Sequence, residues 1–399
     1  MTVADNRLIS LDSLRGLAVL GILVVNIMAF AWPMTVAMDA TAGPFAIDGM
    51  LSGNDRLFYW VEQTFFVDRF RNLFTLLFGV SLFLVGGERT DKDRGRLLRR
   101  RLGWLAVFGL VHGLLIWFGD ILLFYAFCGL FAMLARSLSG RILIIIGGGI
   151  TAALGFCQLG FGLLLPMLPP EFSASMSGEQ TADVFGSVTD IIAAYQSGLV
   201  GALIENLKAW LIVQLSSLMI MPFSSIPIML LGMGLFKVGF FHGRVRAWIY
   251  WALIAVTAVA LAARGWAVHV ESLVPPVEMP SRGLDEATAG LSVLITIGYA
   301  ALVIMVPVMF RWLAPVGQMA FTTYLCQSLI MAFAFYAPFG PKLFGTVPPG
   351  QMWTWIIGCW IAQIVFAHVW MRFFRWGPLE WVWRCLTYGR KLEIRKSLP

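Results

Sequence analysis

About ten runs of roughly 20 apolar residues follow one another along this chain, and that recurrence constrains the fold more than any single motif. They cover approximately 11–32, 68–87, 100–118, 120–135, 141–165, 209–241, 247–263, 287–310, 317–337 and 351–373. A helical run of that length matches the hydrocarbon thickness of a bilayer, whereas a β-barrel would read as short alternating segments. The expected fold is therefore all-α, a polytopic transmembrane helical bundle of about ten spans. Only 13% of the 399 residues are charged, about half the share usual in soluble domains, so little mass lies outside the membrane. The first apolar run continues beyond a short signal-peptide core and lacks a small-residue cleavage site, so it reads as a span. Pro222 and Pro227 fall inside the long sixth run, where a kink or break is expected.

Lysine and arginine in the loops set the orientation. Residues 88–101 carry Arg89, Lys92, Arg94, Arg96, Arg99, Arg100 and Arg101, which marks that loop as cytoplasmic. Arg136, Arg141, Lys237, Arg244, Arg246, Arg311 and a basic tail fall on the same side after an even number of crossings. The opposite loops hold Asp39, Asp48, Asp55, Glu171, Glu179, Asp183, Asp190 and Glu205, with few basic residues. Both termini are thus expected in the cytoplasm of a bacterial cell, with the chain multi-pass in the cytoplasmic (inner) membrane. Three parts follow: a five-helix N-terminal half (1–165), an outer loop with a surface helix over 191–207 (166–208), and a C-terminal half with the basic tail (209–399).

Polar side chains inside hydrocarbon are costly and mark candidate sites. Asn26 lies fifteen residues past Leu11, roughly 22 Å from the cytoplasmic entry, and His112 lies roughly 18 Å past Arg100. The two share a depth, with Asp120 two turns beyond His112 and able to orient it. Arg71 sits with Asp68 where the second span begins. Thr322, Thr323, Tyr324, Gln327 and Ser328 form a polar band on the ninth. Each has a structural alternative: a His bonded to a backbone carbonyl, an Asn or Gln linking helices, an Arg71–Asp68 ion pair, an arginine cluster that fixes topology and meets anionic lipid. His242, His269 and His368 carry no such signal. The five cysteines show no ligand spacing, and no P-loop, nucleophile elbow or zinc motif is present, so no metal is expected.

"RLISLDSLRGLAVLGILVVNIMAF" at 7–30 resembles the N-terminus of the YeiB-like family of bacterial membrane proteins. The resemblance continues through "FRNLFTLLFG" at 70–79, "GLVHGLLIWFGDILLFYAFCGL" at 109–130, "VGQMAFTTYLCQSLI" at 316–330 and "WGPLEWVWRCLTYG" at 376–389. More distantly, the opening motif is similar to two groups of transmembrane acyltransferases, the bacterial O-acyltransferases and the heparan-α-glucosaminide N-acetyltransferases. Both are understood to pass an acyl group from cytoplasmic acyl-CoA to a sugar across the membrane. The first group carries an Arg, ten residues and a catalytic His; here Arg15 is followed by ten residues and Asn26. The second has an Asn there and its His between the first two spans, where this chain has none.

The function expected from the residues and this resemblance is a membrane acyltransferase. Acyl-CoA or acetyl-CoA would be the donor, and a hydroxyl or amine of a sugar, lipid or small metabolite the acceptor. His112, Asp120 and Asn26 are the candidate catalytic residues. Arg15, Arg99, Arg100 and Arg101 are candidates for holding the cofactor, and Arg71, Tyr324, Gln327 and Ser328 for meeting the acceptor. The alternative is a non-enzymatic exporter of a small amphiphile. Expected partners are the bilayer, a small-molecule or glycan acceptor and a second copy in a homodimer, with no nucleic acid.

Overall fold

A computed structural model describes residues 3–169, 185–273 and 283–396, so Glu171, Glu179 and Asp183 lie outside the described residues. It is helical throughout, with no β-strand among the described residues beyond two isolated bridges. In chain order the helices are α1 (Val3–Ala31), α2 (Met34–Met38), α3 (Gly53–Val61), α4 (Arg69–Gly86), α5 (Lys92–Leu115), α6 (Leu122–Ala132), α7 (Gly140–Leu164), α8 (Val188–Gln196), α9 (Leu199–Ile220) and α10 (Pro222–Lys237). There follow α11 (Ala247–Glu271), α12 (Gly283–Ala289), α13 (Ser292–Met305), α14 (Pro307–Phe310), α15 (Ala314–Gln318), α16 (Ala320–Phe335), α17 (Met352–Phe373) and α18 (Pro378–Tyr388).

Among the described residues, six stretches are long and apolar enough to cross a membrane: Ile9–Ala31, Gly53–Gly86, Gly140–Met167, Leu199–Ile220, Ala247–Glu271 and Pro349–Phe373. Two bent pairs raise the number to eight, α12 with α13 at 49° and the α14–α15 segment with α16 at 75°. The expected second span begins earlier than its apolar run, because α3 leads into it through a π-helical turn at Glu62–Phe66. The expected sixth run divides at Met221. Pro222 opens α10 at a position where its missing N–H costs nothing, while Pro227 is accommodated within that helix. The surface helix expected over 191–207 is two elements: α8 ends at Gln196, and Gly198 (φ 132°) starts the long α9.

Close helix crossings hold the bundle together. A Cβ on Gly79 of α4 would lie 2.0 Å from the Met229 carbonyl oxygen, and one on Gly232 of α10 equally close to that of Leu76. These two helices therefore meet backbone to backbone, as small residues allow in membrane bundles. Helix α1 packs against α4, α15 and α16, while α5 packs against α6, α9 and α18. One apolar core, with Leu20, Leu102, Tyr125, Tyr324 and Trp383 among its members, surrounds the site described next.

Candidate active site

Between α1, α4, α5, α16 and α18 lies a cavity of about 630 Å³. Arg94, Leu98, Arg101, Leu102 and Leu105 follow one another along its α5 wall, which spans roughly 16 Å at the helical rise. Its basic end gathers Arg15, Arg94, Arg101 and Arg384 from three helices. Arg15 donates to Asp12 Oδ1 (3.1 Å) and to Ser81 Oγ (3.3 Å). The Arg101 guanidinium stacks 3.9 Å from the Trp383 ring centroid, and Arg384 lies 5.1 Å from that of Trp376. A guanidinium over an indole can keep N–H groups available for anions such as phosphate.

One acid stands among these cations. Glu380 Oε1 accepts from the backbone N–H of Phe321 (2.7 Å) and Thr322 (3.1 Å), and Oε2 accepts from Thr322 Oγ1. Its carboxylate thus occupies the N-terminus of α16, where unpaired N–H groups and the helix dipole favour negative charge. Burial nevertheless pushes the Glu380 carboxyl above its ordinary value, and the hydrogen bonds with Thr322 and Phe321 only partly offset this.

The apolar end of the cavity is bounded by Leu105, Leu122, Phe321, Tyr125 and Tyr324. Tyr125 is fixed, hydrogen bonded to Thr75 Oγ1 (2.7 Å) and donating to the Arg71 carbonyl (3.2 Å). The buried Tyr324 hydroxyl faces the Ile121 backbone without a hydrogen bond of normal geometry. Behind it the His112 ring lies 5.4 Å from the Tyr324 ring, centroid to centroid. His112 Nδ1 is 2.8 Å from Asp120 Oδ1, and Asp120 Oδ2 accepts from Leu123 N (2.9 Å). Gly109 makes this approach possible, since a Cβ there would meet Leu123 N at 2.3 Å and Asp120 Oδ2 at 2.8 Å. A carboxylate on Nδ1 assigns the proton to that nitrogen and leaves the lone pair on Nε2. His112 Nε2 has no hydrogen-bond partner among the described residues.

Residues 235–390 match a family model described as "Protein of unknown function (DUF418)". The chain is 31% identical to "Uncharacterized protein YeiB" of Escherichia coli (strain K12), covering 96% of each chain. It is 30% identical to "Uncharacterized protein YxaH" of Bacillus subtilis (strain 168), covering 99% of this chain and 98% of the relative. The chain belongs to the YeiB-like family. An uncharacterised 39.9 kDa protein of Bacillus acidopullulyticus is a further relative of this YeiB-like chain, 26% identical over 98% of it. No solved structure matches it.

In this YeiB-like protein, His112, Asp120, Tyr324, Arg15 and Arg101 come together on or directly behind one cavity. Asn26 is half-buried one helical turn before Phe30, whose ring stacks on Trp117 at 4.1 Å, and is not part of the cavity wall. Arg99 and Arg100 are exposed and off the cavity, because they leave α5 on other faces than Arg101. Arg71 is engaged with Asp68 (2.8 Å). Gln327 Nε2 donates to the Val19 carbonyl and to Gln363 Oε1, both at 3.0 Å, so it ties α16 to α1 and α17. Ser328 Oγ bonds back to the Tyr324 carbonyl at 3.4 Å. No cluster of three metal-ligating side chains occurs among the described residues.

Residues that the sequence did not single out also belong here. Arg94, Tyr125, Glu380, Trp383 and Arg384 line the cavity. On α9, Asn206 donates to the carbonyls of Gly113 (2.9 Å) and Leu114 (3.2 Å). One and two turns further, the buried Trp210 Nε1 and both amide atoms of Gln214 have no hydrogen-bond partner among the described residues. The regular spacing of Asn206, Trp210 and Gln214 within an apolar run was the available signal.

Proposed function

We propose that this YeiB-like protein is a membrane acyltransferase that moves an acyl group from cytoplasmic acyl-CoA to a hydroxyl or amine presented from the outer side. What carries the proposal is one cavity with arginines at one end and Tyr324 at the other, backed by a histidine that Asp120 orients. Arg15, Arg94, Arg101 and Arg384 pair with the donor phosphates, and the apolar α5 wall accepts the pantetheine arm. Acetyl-CoA is the smallest such donor. His112 Nε2 takes the proton of the acceptor O–H or N–H as that atom attacks the thioester carbonyl carbon. The Tyr324 hydroxyl donates to the developing oxyanion. The C–S bond then breaks, and the CoA thiolate recovers the proton from His112. The hydroxyl or amine leaves as its ester or amide.

The topology that goes with this reading has ten crossings. Helices α5 and α6 join the six long spans and two bent pairs, and α10 continues α9. Loops rich in Lys and Arg then fall on one side with both termini, the cytoplasmic side of a bacterial inner membrane by the positive-inside rule.

Purified protein incubated with radiolabelled acetyl-CoA tests the proposal. Label should pass to an acceptor, or slowly to water, in wild type and not in His112→Ala; full transfer by that variant overturns the assignment. A second reading, export of a small amphiphile, draws on the 75° break between α15 and α16, since Gln318 and Ala320 line the cavity and carriers use such broken helices. Export of a substrate unchanged, retained in His112→Ala, would favour it.

A further inference from the structure

A second concavity, of about 350 Å³, lies on the other side of α18 from the cavity and shares none of its lining residues. Arg100 and Trp104, one turn apart on α5, face Trp381 and Cys385, one turn apart on α18, and Arg390 and Lys391 close the end. Arg101, Trp383 and Arg384 leave the same two helices toward the cavity. Gly389 (φ 70°) ends α18 in a left-handed turn, and a Cβ there would sit 3.0 Å from the Arg100 guanidinium. A glycine at this point thus serves both the backbone conformation and the seat of Arg100.

The lining holds three cations and no carboxylate. Among the described residues, Arg100, Arg390 and Lys391 take part in none of the ion pairs that form. The two indoles stand where the basic N-terminal turns of α5 give way to its apolar part, the level at which tryptophan meets a membrane interface. A soluble phosphate ligand would need the cations alone; the indoles beside them match the glycerol region below a headgroup.

We propose that this groove binds the phosphate headgroup of an anionic phospholipid, with Arg100, Arg390 and Lys391 on the phosphate and Trp104 and Trp381 on the glycerol region. It stands independently of the acyltransferase reading. Each cation near an anionic surface strengthens binding about fivefold, so three together give roughly a hundredfold.

The test is native mass spectrometry of the full chain released from detergent with added phosphatidylglycerol or phosphatidylcholine. Wild type should retain phosphatidylglycerol in preference to phosphatidylcholine. The combined variant Arg100→Gln, Arg390→Gln, Lys391→Gln should lose that preference. A control with the same charge change, Lys92→Gln, Arg96→Gln, Arg141→Gln, should keep it. Lys391→Glu alone, at an exposed position, should weaken retention and serves if the combined variant unfolds on a thermal melt. Equal loss in the control would mean diffuse attraction and overturn the proposal. Displacement of the lipid by millimolar inorganic phosphate would also overturn it, since the groove would then be a soluble-phosphate site.

Discussion

Replacing Asp120 in two ways separates orientation of His112 from mere packing. Asp120 Oδ1 holds His112 Nδ1 at 2.8 Å and Oδ2 holds Leu123 N at 2.9 Å, with both side chains essentially inaccessible to solvent. Asp120→Ala leaves two buried N–H groups unpaired, at about 1–3 kcal/mol each, hence about 2–6 kcal/mol in all. Asp120→Asn keeps the bond to Leu123 through its amide oxygen. It offers His112 a donor in place of an acceptor, so the ring moves its proton to Nε2 and a charge-assisted bond becomes a neutral one. That exchange costs about 1 kcal/mol. Equilibrium unfolding in mixed detergent micelles should therefore rank wild type above Asp120→Asn and Asp120→Asn well above Asp120→Ala. Acyl transfer should instead fall in both, by about 10²–10⁴-fold, because neither presents an oriented Nε2 lone pair. An Asp120→Ala protein within about 0.5 kcal/mol of wild type, or an Asp120→Asn protein no more stable than Asp120→Ala, would refute the hydrogen-bonding argument.

CoA should raise the thermal stability of wild type, and Arg101→Gln should weaken its binding by roughly 10- to 100-fold, the loss of one charge-assisted contact; isothermal titration reads this directly. Gly232→Leu should prevent the α4–α10 crossing, because its Cβ would lie 2.0 Å from the Leu76 carbonyl oxygen, and size-exclusion chromatography should show misassembled protein. For Glu380, burial raises the folded-state pKa, so its contribution to stability is fully present below the unfolded value near 4.5 and is lost as pH rises through the folded value. Glu380→Gln should remove that part of the pH dependence; pH-resolved melting that shows identical slopes in the two proteins would contradict it.

Eight of the ten expected runs, two of them as bent helix pairs, were legible as spans because bilayer thickness imposes a length and a composition on a crossing helix. The runs at 100–118 and 120–135 became α5, whose N-terminal turns are strongly charged, and the short α6; neither is long and apolar enough to count among them. The break at Met221 was legible for a similar reason, since Pro222 cannot donate to the preceding turn. Helix α3 was hidden because it carries Asn54, Asp55 and Arg56 ahead of the apolar run, so its continuity with α4 is a matter of backbone path and not of hydropathy. Depth put Asn26, His112 and the Thr322–Ser328 band at one level by the helical rise; of these, His112 and Tyr324 are ring neighbours, whereas Asn26 is not part of the cavity wall. Facing was less accessible. Arg99, Arg100 and Arg101 are consecutive, yet about 100° separates each from the next around α5, and only Arg101 meets Trp383. Glu380 reaches the α16 N-terminus across nearly sixty positions, a contact that no local pattern announces.

The eleven residues of α18 form a partition. Trp383 and Arg384 line the cavity and Trp381 and Cys385 the outer groove, so the two share one wall. Any tilt of that wall enlarges one compartment at the expense of the other. Occupants on its two sides that prefer different tilts must then compete without touching, and by linkage each changes the other's affinity by the same factor. The composition of the surrounding leaflet would in that way act on this YeiB-like protein as an effector, through the position of a single short helix.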